Sequence, residues 1–360
     1  MIYGLRNPLV PLSAESRQGR RPLSFAQQRL WFLELVHPGS SINHISMAVC
    51  VRGFLNHERL EKSVQAIILR HEILRTRFEA ERGEGFAEVS GEMVFTIGRR
   101  DFRTLDQAEQ EIEVQQLLRA EAGQLFDLGT GPLFRVMLGA LDEDQHVLVL
   151  TFHRLIADGW SLRLFCKELA LLYEAGGEVR EAGLSTLSFQ YADYVHWKRT
   201  RLDQGLREIQ RAYWVGQLSG AHQPVEIPTD RSRPRIRTFE GGVGSRALSP
   251  GLVAALHLFC QQQGVTTFML LYAVFVTWLH RNTQASDIIV GSVVSGRRRV
   301  ELEDVIGYCV NTVALRSELA PGLTGLDLLK QVRRVVLEAY DHQELPFEEV
   351  LEALSLRREG

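Results

Sequence analysis

A mixed α/β protein is predicted by three observations. The chain of 360 residues is long enough for about two domains, or one large one, with a sizeable core. Hydrophobic residues make up 45% of it and charged residues 24%, ordinary globular usage that excludes disordered, collagen-like and coiled-coil classes. Strand-like apolar runs alternate with stretches of 3.6-residue periodicity in both halves, without a short-period repeat of the solenoid kind.

The elements follow in order. After a Pro- and Arg-rich lead, Ser24 and Gln27 have capping-box spacing, so a helix is predicted from there through Arg29, Trp31 and Leu35. Ile45 to Val51 has the content of a strand, punctuated by Gly53, and Asn56 is a good helix cap. Leu60, Val64, Ile67 and Ile68 then line one face of a helix that packs on a sheet. Leu133 to Leu141 and His146 to Phe152 flank the polar turn Asp142 to Gln145, which predicts an antiparallel hairpin running straight into His153. A helix is expected from Trp160 to Tyr173, ended by Gly176 and Gly177, and Pro224 to Arg237 reads as an irregular surface connection. Beyond it an amphipathic helix near Leu252 to Gln263, a buried helix after Val265, strands at Ile288 to Val294 and Val310 to Arg316, and a helix from Leu326 to Tyr340 are predicted.

Composition narrows the function classes. With 41 Lys plus Arg against 44 Asp plus Glu, a net charge of −3 gives no attraction for a phosphate backbone or an anionic bilayer, so neither nucleic acid nor membrane is an expected partner. The most membrane-like stretch, Val265 to Leu279, is shorter than the ~20 residues of a spanning helix and carries Thr266, Thr267 and Thr277. Cys50, Cys166, Cys260 and Cys309 are widely separated and read as buried thiols of a cytoplasmic protein, with no metal site. No secretory signal is visible, and neither HExxH nor a glycine-rich phosphate loop occurs.

Chemistry concentrates in Thr151 to Ser161, where a strand empties into a short polar loop before a helix, a place where rigid scaffolds hold catalytic groups. One His and one Asp five residues apart would by themselves be explained by a structural histidine. Six separated segments, however, carry a resemblance. Leu23-Ser24-Phe25-Ala26-Gln27-Gln28-Arg29-Leu30-Trp31-Phe32-Leu33 is similar to SxAQxRLWxL, Arg70 to Phe78 to RHExLRTxF, and Tyr191-Ala192-Asp193-Tyr194 to YxDY. Ile306 to Thr312 is similar to IGxFVNT, with Cys309 where an aromatic is usual, and His342 to Glu348 to HQDLPFE. With His153-Arg154-Leu155-Ile156-Ala157-Asp158-Gly159 in the place of HHxxxDG, these six occur in the order found in condensation domains of nonribosomal peptide synthetases, over about Leu23 to Leu351.

The resemblance implies two chloramphenicol-acetyltransferase-like lobes arranged as a V with a central tunnel. The boundaries expected are 1–22 linker, 23–180 N-terminal lobe, 181–237 connection and 238–360 C-terminal lobe. The absence of an RDxSRNP-like stretch implies truncation and an unpaired sheet edge. It implies amide-bond formation between a thioester donor and an amine acceptor, each on the phosphopantetheine arm of a peptidyl carrier protein, with no cofactor bound by the domain. An adenylation domain would be the neighbour, and the chain a monomeric piece of a cytoplasmic assembly line for antibiotic biosynthesis. The catalytic motif falls on His153, Arg154, Asp158 and Gly159, with Asp158 paired to Arg297 of the opposite lobe as a structural salt bridge and Gly159 permitting a tight turn or close approach of the substrate arm. His153 reads as a buried hydrogen-bonded residue.

Arg154 is the departure. A guanidinium has no acceptor lone pair, so it cannot take a proton from an attacking amine. A positioned base contributes about 10²- to 10⁴-fold, roughly 3 to 5 kcal/mol of barrier, so its loss is severe without being absolute. Three readings of Arg154 stand open: it stabilises the oxyanion of a tetrahedral intermediate; it blocks the tunnel or docks a partner in a silent relative that gates carrier proteins or recruits a tailoring enzyme, like X domains, which carry HR but usually alter the DG kept here; or it pairs with Asp158 or another acid in a decayed or varied domain. A free-standing acyltransferase using coenzyme A is a weaker alternative.

Overall fold

The computed structural model describes residues 9–13, 19–81, 83–91, 93–221, 225–232, 234 and 241–354. The described residues form two compact units, one within residues 9–201 together with 295–310, the other within residues 202–294 together with 311–354.

The first unit begins with β1 (Arg20–Pro22) and α1 (Phe25–Val36). The Ser24 hydroxyl accepts the Gln27 N–H and Gln27 Oε1 accepts the Ser24 N–H, each at 3.0 Å, the expected capping box. Next come β2 (His44–Arg52), α2 (His57–Arg70), β3 (Thr76–Glu81), β4 (Glu84–Val89), β5 (Gly98–Asp101), α3 (Gln107–Gly123), β6 (Phe134–Ala140), β7 (Gln145–His153), α4 (Gly159–Glu174) and α5 (Tyr191–Arg201). Four strands form a sheet in the order β2-β7-β6-β5, and a smaller sheet has the order β1-β4-β3. The hairpin read around Asp142 to Gln145 is β6 and β7, paired Phe134 to Phe152 through Ala140 to His146.

The predicted apolar face of α2 is the face it buries: Leu60 is 5% exposed, and Val64, Ile67 and Ile68 are fully covered. Each such side chain contributes about 1.5–3 kcal/mol relative to exposure. β7 is buried along nearly its whole length, His153 at its end included. The chain breaks after α4 at Gly176 and Gly177, whose φ values of 68° and 94° are costly for any residue with a Cβ.

The second unit holds α6 (Arg207–Leu218), α7 (Pro250–Gln263), α8 (Thr267–Thr283), β8 (Asp287–Val294), β9 (Asn311–Glu318), α9 (Gly325–Asp341) and α10 (Phe347–Ala353). β8 and β9 pair antiparallel from Asp287–Glu318 to Val294–Asn311. The turn 342–346 is held by side chains of the same unit: Asn311 Nδ2 donates to the carbonyls of Gln343 and Leu345, and Trp214 Nε1 to that of His342.

Three expectations are corrected. The helix after Val265 is buried on one face only: Met269, Tyr272, Ala273, Val276 and Leu279 are covered, whereas Leu271, Val274, Phe275 and Trp278 are 43–58% exposed. Its sequence is apolar all round, but the β8–β9 pair covers one side, where Tyr272 donates to the Leu315 carbonyl. The amphipathic helix near Leu252 buries only Cys260, with Leu252 and Leu258 about half exposed. Cys50 is exposed, because it falls on the outward positions of β2, and Cys166 is half-buried. Residues 225–232 form no regular element, and the rest of the predicted connection (224, 233 and 235–237) lies outside the described residues, as does part of the predicted linker.

Among the described residues no single helix is long and apolar enough to cross a membrane; α7 and α8 meet at a 100° bend.

Candidate active site

The end of β7, the turn after it and the start of α4 bring His153, Arg154, Asp158 and Gly159 together. The turn is fixed by α1 and by the segment before β2. Gln27 Nε2 donates to the Leu155 carbonyl at 2.7 Å, and the Arg154 N–H donates to the Asn43 carbonyl at 2.8 Å.

His153 is 1% exposed and both its ring nitrogens are engaged. Nδ1 accepts the Leu155 N–H at 3.1 Å, so in the neutral ring the proton sits on Nε2, which lies 3.2 Å from Glu34 Oε1. Asn43 Nδ2 donates to the same oxygen at 2.6 Å. Burial pushes the Glu34 carboxyl up, but the His153 and Asn43 hydrogen bonds outweigh it and hold the group below its ordinary value. His44 stands edge-on to the His153 ring at 5.7 Å between centroids; its own pKa is lowered by burial, partly offset by its bond to the Ala122 carbonyl.

Asp158 is the N-cap of α4, its Oδ1 accepting the Ser161 N–H at 2.9 Å and the Ser161 hydroxyl lying at 2.8 Å. Its Oδ2 accepts Arg297 Nη1 at 2.6 Å and the Cys309 N–H at 3.1 Å. The Arg297 Nη2 donates to the carbonyls of Val305 and Gly307. A buried ion pair is tolerable only when its remaining polar sites are largely matched; here Arg297 Nε is the buried atom of the pair left without a hydrogen-bond partner among the described residues. Residues 295–310, which lie between β8 and β9 in sequence, belong to the same compact unit as Asp158.

Three further motifs close on this segment. The Tyr191 hydroxyl lies 2.9 Å from Ser24 Oγ and 2.7 Å from the Tyr308 carbonyl, and the Tyr194 hydroxyl 3.3 Å from the Cys309 carbonyl. Asp193 accepts the N–H groups of Leu12 and Gln190. Cys309, in the aromatic's place, is buried, and burial pushes its thiol up to about 12. The Arg70-His71 pair holds α4 from behind: His71 Nε2 is 2.8 Å and Arg70 Nε 3.1 Å from the buried Glu168.

Arg154 and Gly159 are the exposed members of the loop. Burial pushes the Tyr308 phenol up, and the Arg154 charge pulls partly back. Gly159 begins α4 without a positive φ, and an added Cβ would meet no atom within 4 Å, so the turn itself does not demand glycine. Among the described residues no group of three or more His, Cys, Asp or Glu could hold a metal ion. Glu34, Asn43 and His44 join the site without having been singled out in the sequence.

The arrangement can present groups at a rigid loop and stabilise negative charge. Proton acceptance is another matter, since His153 has no open lone pair, Asp158 is saturated by four partners and Arg154 only donates.

The family model described as Condensation domain matches residues 17–360. A linear gramicidin synthase protein of Brevibacillus parabrevis is 42% identical over 351 residues, which is 98% of this chain and 4% of that protein. The chain spans 4–7% of the length of the three first curated relatives. Among solved structures, the complex of the X-domain and OxyB from teicoplanin biosynthesis matches at 29% identity and a TM-score of 0.81, covering 98% of this chain and 76% of that one. The first condensation domain of the calcium-dependent antibiotic synthetase, in complex with a substrate analogue, shares the fold at a TM-score of 0.77 and 20% identity, over 94% of this chain and 78% of that one.

Proposed function

Since this chain belongs to the condensation-domain family of nonribosomal peptide synthetases, we propose that it brings a thioester donor and an amine acceptor together at the loop 153–159 and joins them as an amide without a general base. Both substrates ride on phosphopantetheine arms of peptidyl carrier proteins, and the domain binds no cofactor of its own. An adenylation domain is its neighbour in a cytoplasmic synthetase that makes a peptide antibiotic. Relatives many times longer than this chain support the multidomain setting, in which linkage supplies carriers at high local concentration.

One observation carries the mechanistic part: every proton acceptor among the loop side chains is already occupied. Attack then depends on the fraction of acceptor that is already neutral amine and on proximity, which can replace much of a missing base. Gly159, open on its solvent side, leaves room for an arm to approach; Asp158 and Arg297 hold the loop.

Amide formation from two loaded carrier proteins tests this. The parent should react slowly, its rate rising about tenfold per pH unit until the acceptor ammonium titrates near ~8. Arg154→His should raise the rate by about 10²- to 10⁴-fold at neutral pH.

A second reading is favoured by the same occupied acceptors together with the likeness to an X-domain solved in complex with OxyB: a silent module that docks carriers or recruits a tailoring enzyme. No amide from either parent or Arg154→His, with carrier binding intact, selects it.

A further inference from the structure

Two side chains of α1 reach the loop after β7 from one face of the helix. Gln27 and Glu34 stand seven residues apart, two turns of the helix. The buried Gln27 holds the Leu155 carbonyl at 2.7 Å. Glu34 Oε1 lies 3.2 Å from His153 Nε2 and accepts Asn43 Nδ2 at 2.6 Å.

Asn43 carries the connection onward. It is buried, and its backbone carbonyl accepts the Arg154 N–H at 2.8 Å. A carboxylate oxygen on α1, an amide side chain before β2 and the backbone of residue 154 thus form one continuous chain of hydrogen bonds. Residue 154 is where the motif HHxxxDG carries its second histidine. Burial opposes ionisation of Glu34, but the His153 and Asn43 bonds outweigh it, so the carboxylate is charged at neutral pH. Its bond to Asn43 is accordingly of the stronger, charge-assisted kind.

We infer that Glu34 and Asn43 are positioning residues for the proposed reaction: Glu34 seats the Asn43 side chain, and Asn43 fixes the backbone from which side chain 154 projects. The inference rests on the amide-forming reading above. His153 shares the same carboxylate oxygen but lies off this path, which runs from Asn43 directly to the residue 154 amide. Position 34 must supply an acceptor oxygen, and a charge is not essential to it. Glutamine offers a carbonyl oxygen with two lone pairs, enough for both donors, whereas methionine has a similar length and only a weak acceptor. A reacting group displaced by about 1 Å costs about 10²-fold in rate even when the substitution is remote from the chemistry.

Single-turnover amide formation with loaded carrier proteins is compared in Arg154→His alone and in Arg154→His combined with Glu34→Gln, Glu34→Met or Asn43→Leu. The last is close to isosteric, lacks the donor, and decides the matter where Glu34→Met does not fold. Hydrogen exchange at the residue 154 amide is followed in the same proteins. Glu34→Gln should keep the rate of Arg154→His. Glu34→Met and Asn43→Leu should lower the maximal rate about 10²-fold at an unchanged half-saturating acceptor concentration, with exchange at residue 154 about tenfold faster. Rates unaffected by Glu34→Met and Asn43→Leu overturn the inference, as do a loss that Glu34→Gln shares, a loss that follows the thermal midpoint alone, or unaltered exchange at residue 154. An Arg154→His protein that forms no amide overturns the amide-forming reading instead, and exchange at residue 154 tells the two failures apart.

Discussion

His153 illustrates how a motif residue acquires its role from what its atoms already hold. One ring nitrogen receives the Leu155 amide and the other faces Glu34, so removing the ring strands two buried or half-buried groups at about 1–3 kcal/mol each. His153→Ala should therefore lower the urea midpoint, while amide formation by the fraction that remains folded changes little; a collapse of rate at unchanged stability would make the ring a chemical participant instead. The sequence placed His153, Arg154, Asp158, Gly159 and Arg297 through the motif pattern. It did not single out Glu34, although that residue is the one acid in the Phe25–Val36 helix, since a lone acid on such a helix is equally at home in solvent. Tyr308 was read only as part of the IGxFVNT-like segment, and no spacing rule connects residue 308 with residue 154.

Secondary elements were legible where periodicity met a cap. Ser24, Asn56 and the β6–β7 turn all appear where the pattern put them. The β3–β4 hairpin was missed because its strands, TRFEAE and EGFAEV, are rich in Glu and Ala, which strands usually lack. The last apolar helices misled in the other direction: hydrophobicity reports what a helix can bury, and the neighbours decide how much it does. For α4 the decisive contact is Glu168, 1% exposed, against His71 and Arg70. Burial pushes this carboxyl up, but its interactions with His71 and Arg70 outweigh that and its pKa falls below the ordinary 4.5. A depressed acid contributes stability that is complete above about 4.5 and fades as pH falls through the lower folded value. Glu168→Gln should thus cost about 3 kcal/mol or more at pH 7 and flatten the loss of stability between pH 5 and 3, read from urea midpoints across that range. An acid limb unchanged by the substitution would remove Glu168 from that role.

Across the whole chain, motifs at residues 24, 158–161, 191–194, 297 and 307–309 meet in one hydrogen-bonded cluster within a single compact unit. Residues 295–310 reach it as an excursion between the paired strands β8 and β9. The first unit therefore contains a buried carboxylate, Asp158, whose neutralising partner is encoded nearly a hundred residues after α5 ends. Removing only the cation leaves the charge stranded, which costs about 3–5 kcal/mol, whereas neutralising both partners costs less because nothing unpaired remains. Arg297→Met should accordingly destabilise strongly, Asp158→Asn with Arg297→Met should recover part of that loss, and the two single changes should be non-additive in a double-mutant cycle. Hydrogen exchange gives the spatial reading: in Arg297→Met the amides of Gly307 and Cys309, which donate to Ser161 and Asp158, should lose protection before those pairing β8 with β9. Uniform loss across both sets, or strictly additive energies, would mean that the cluster is not held by this pair.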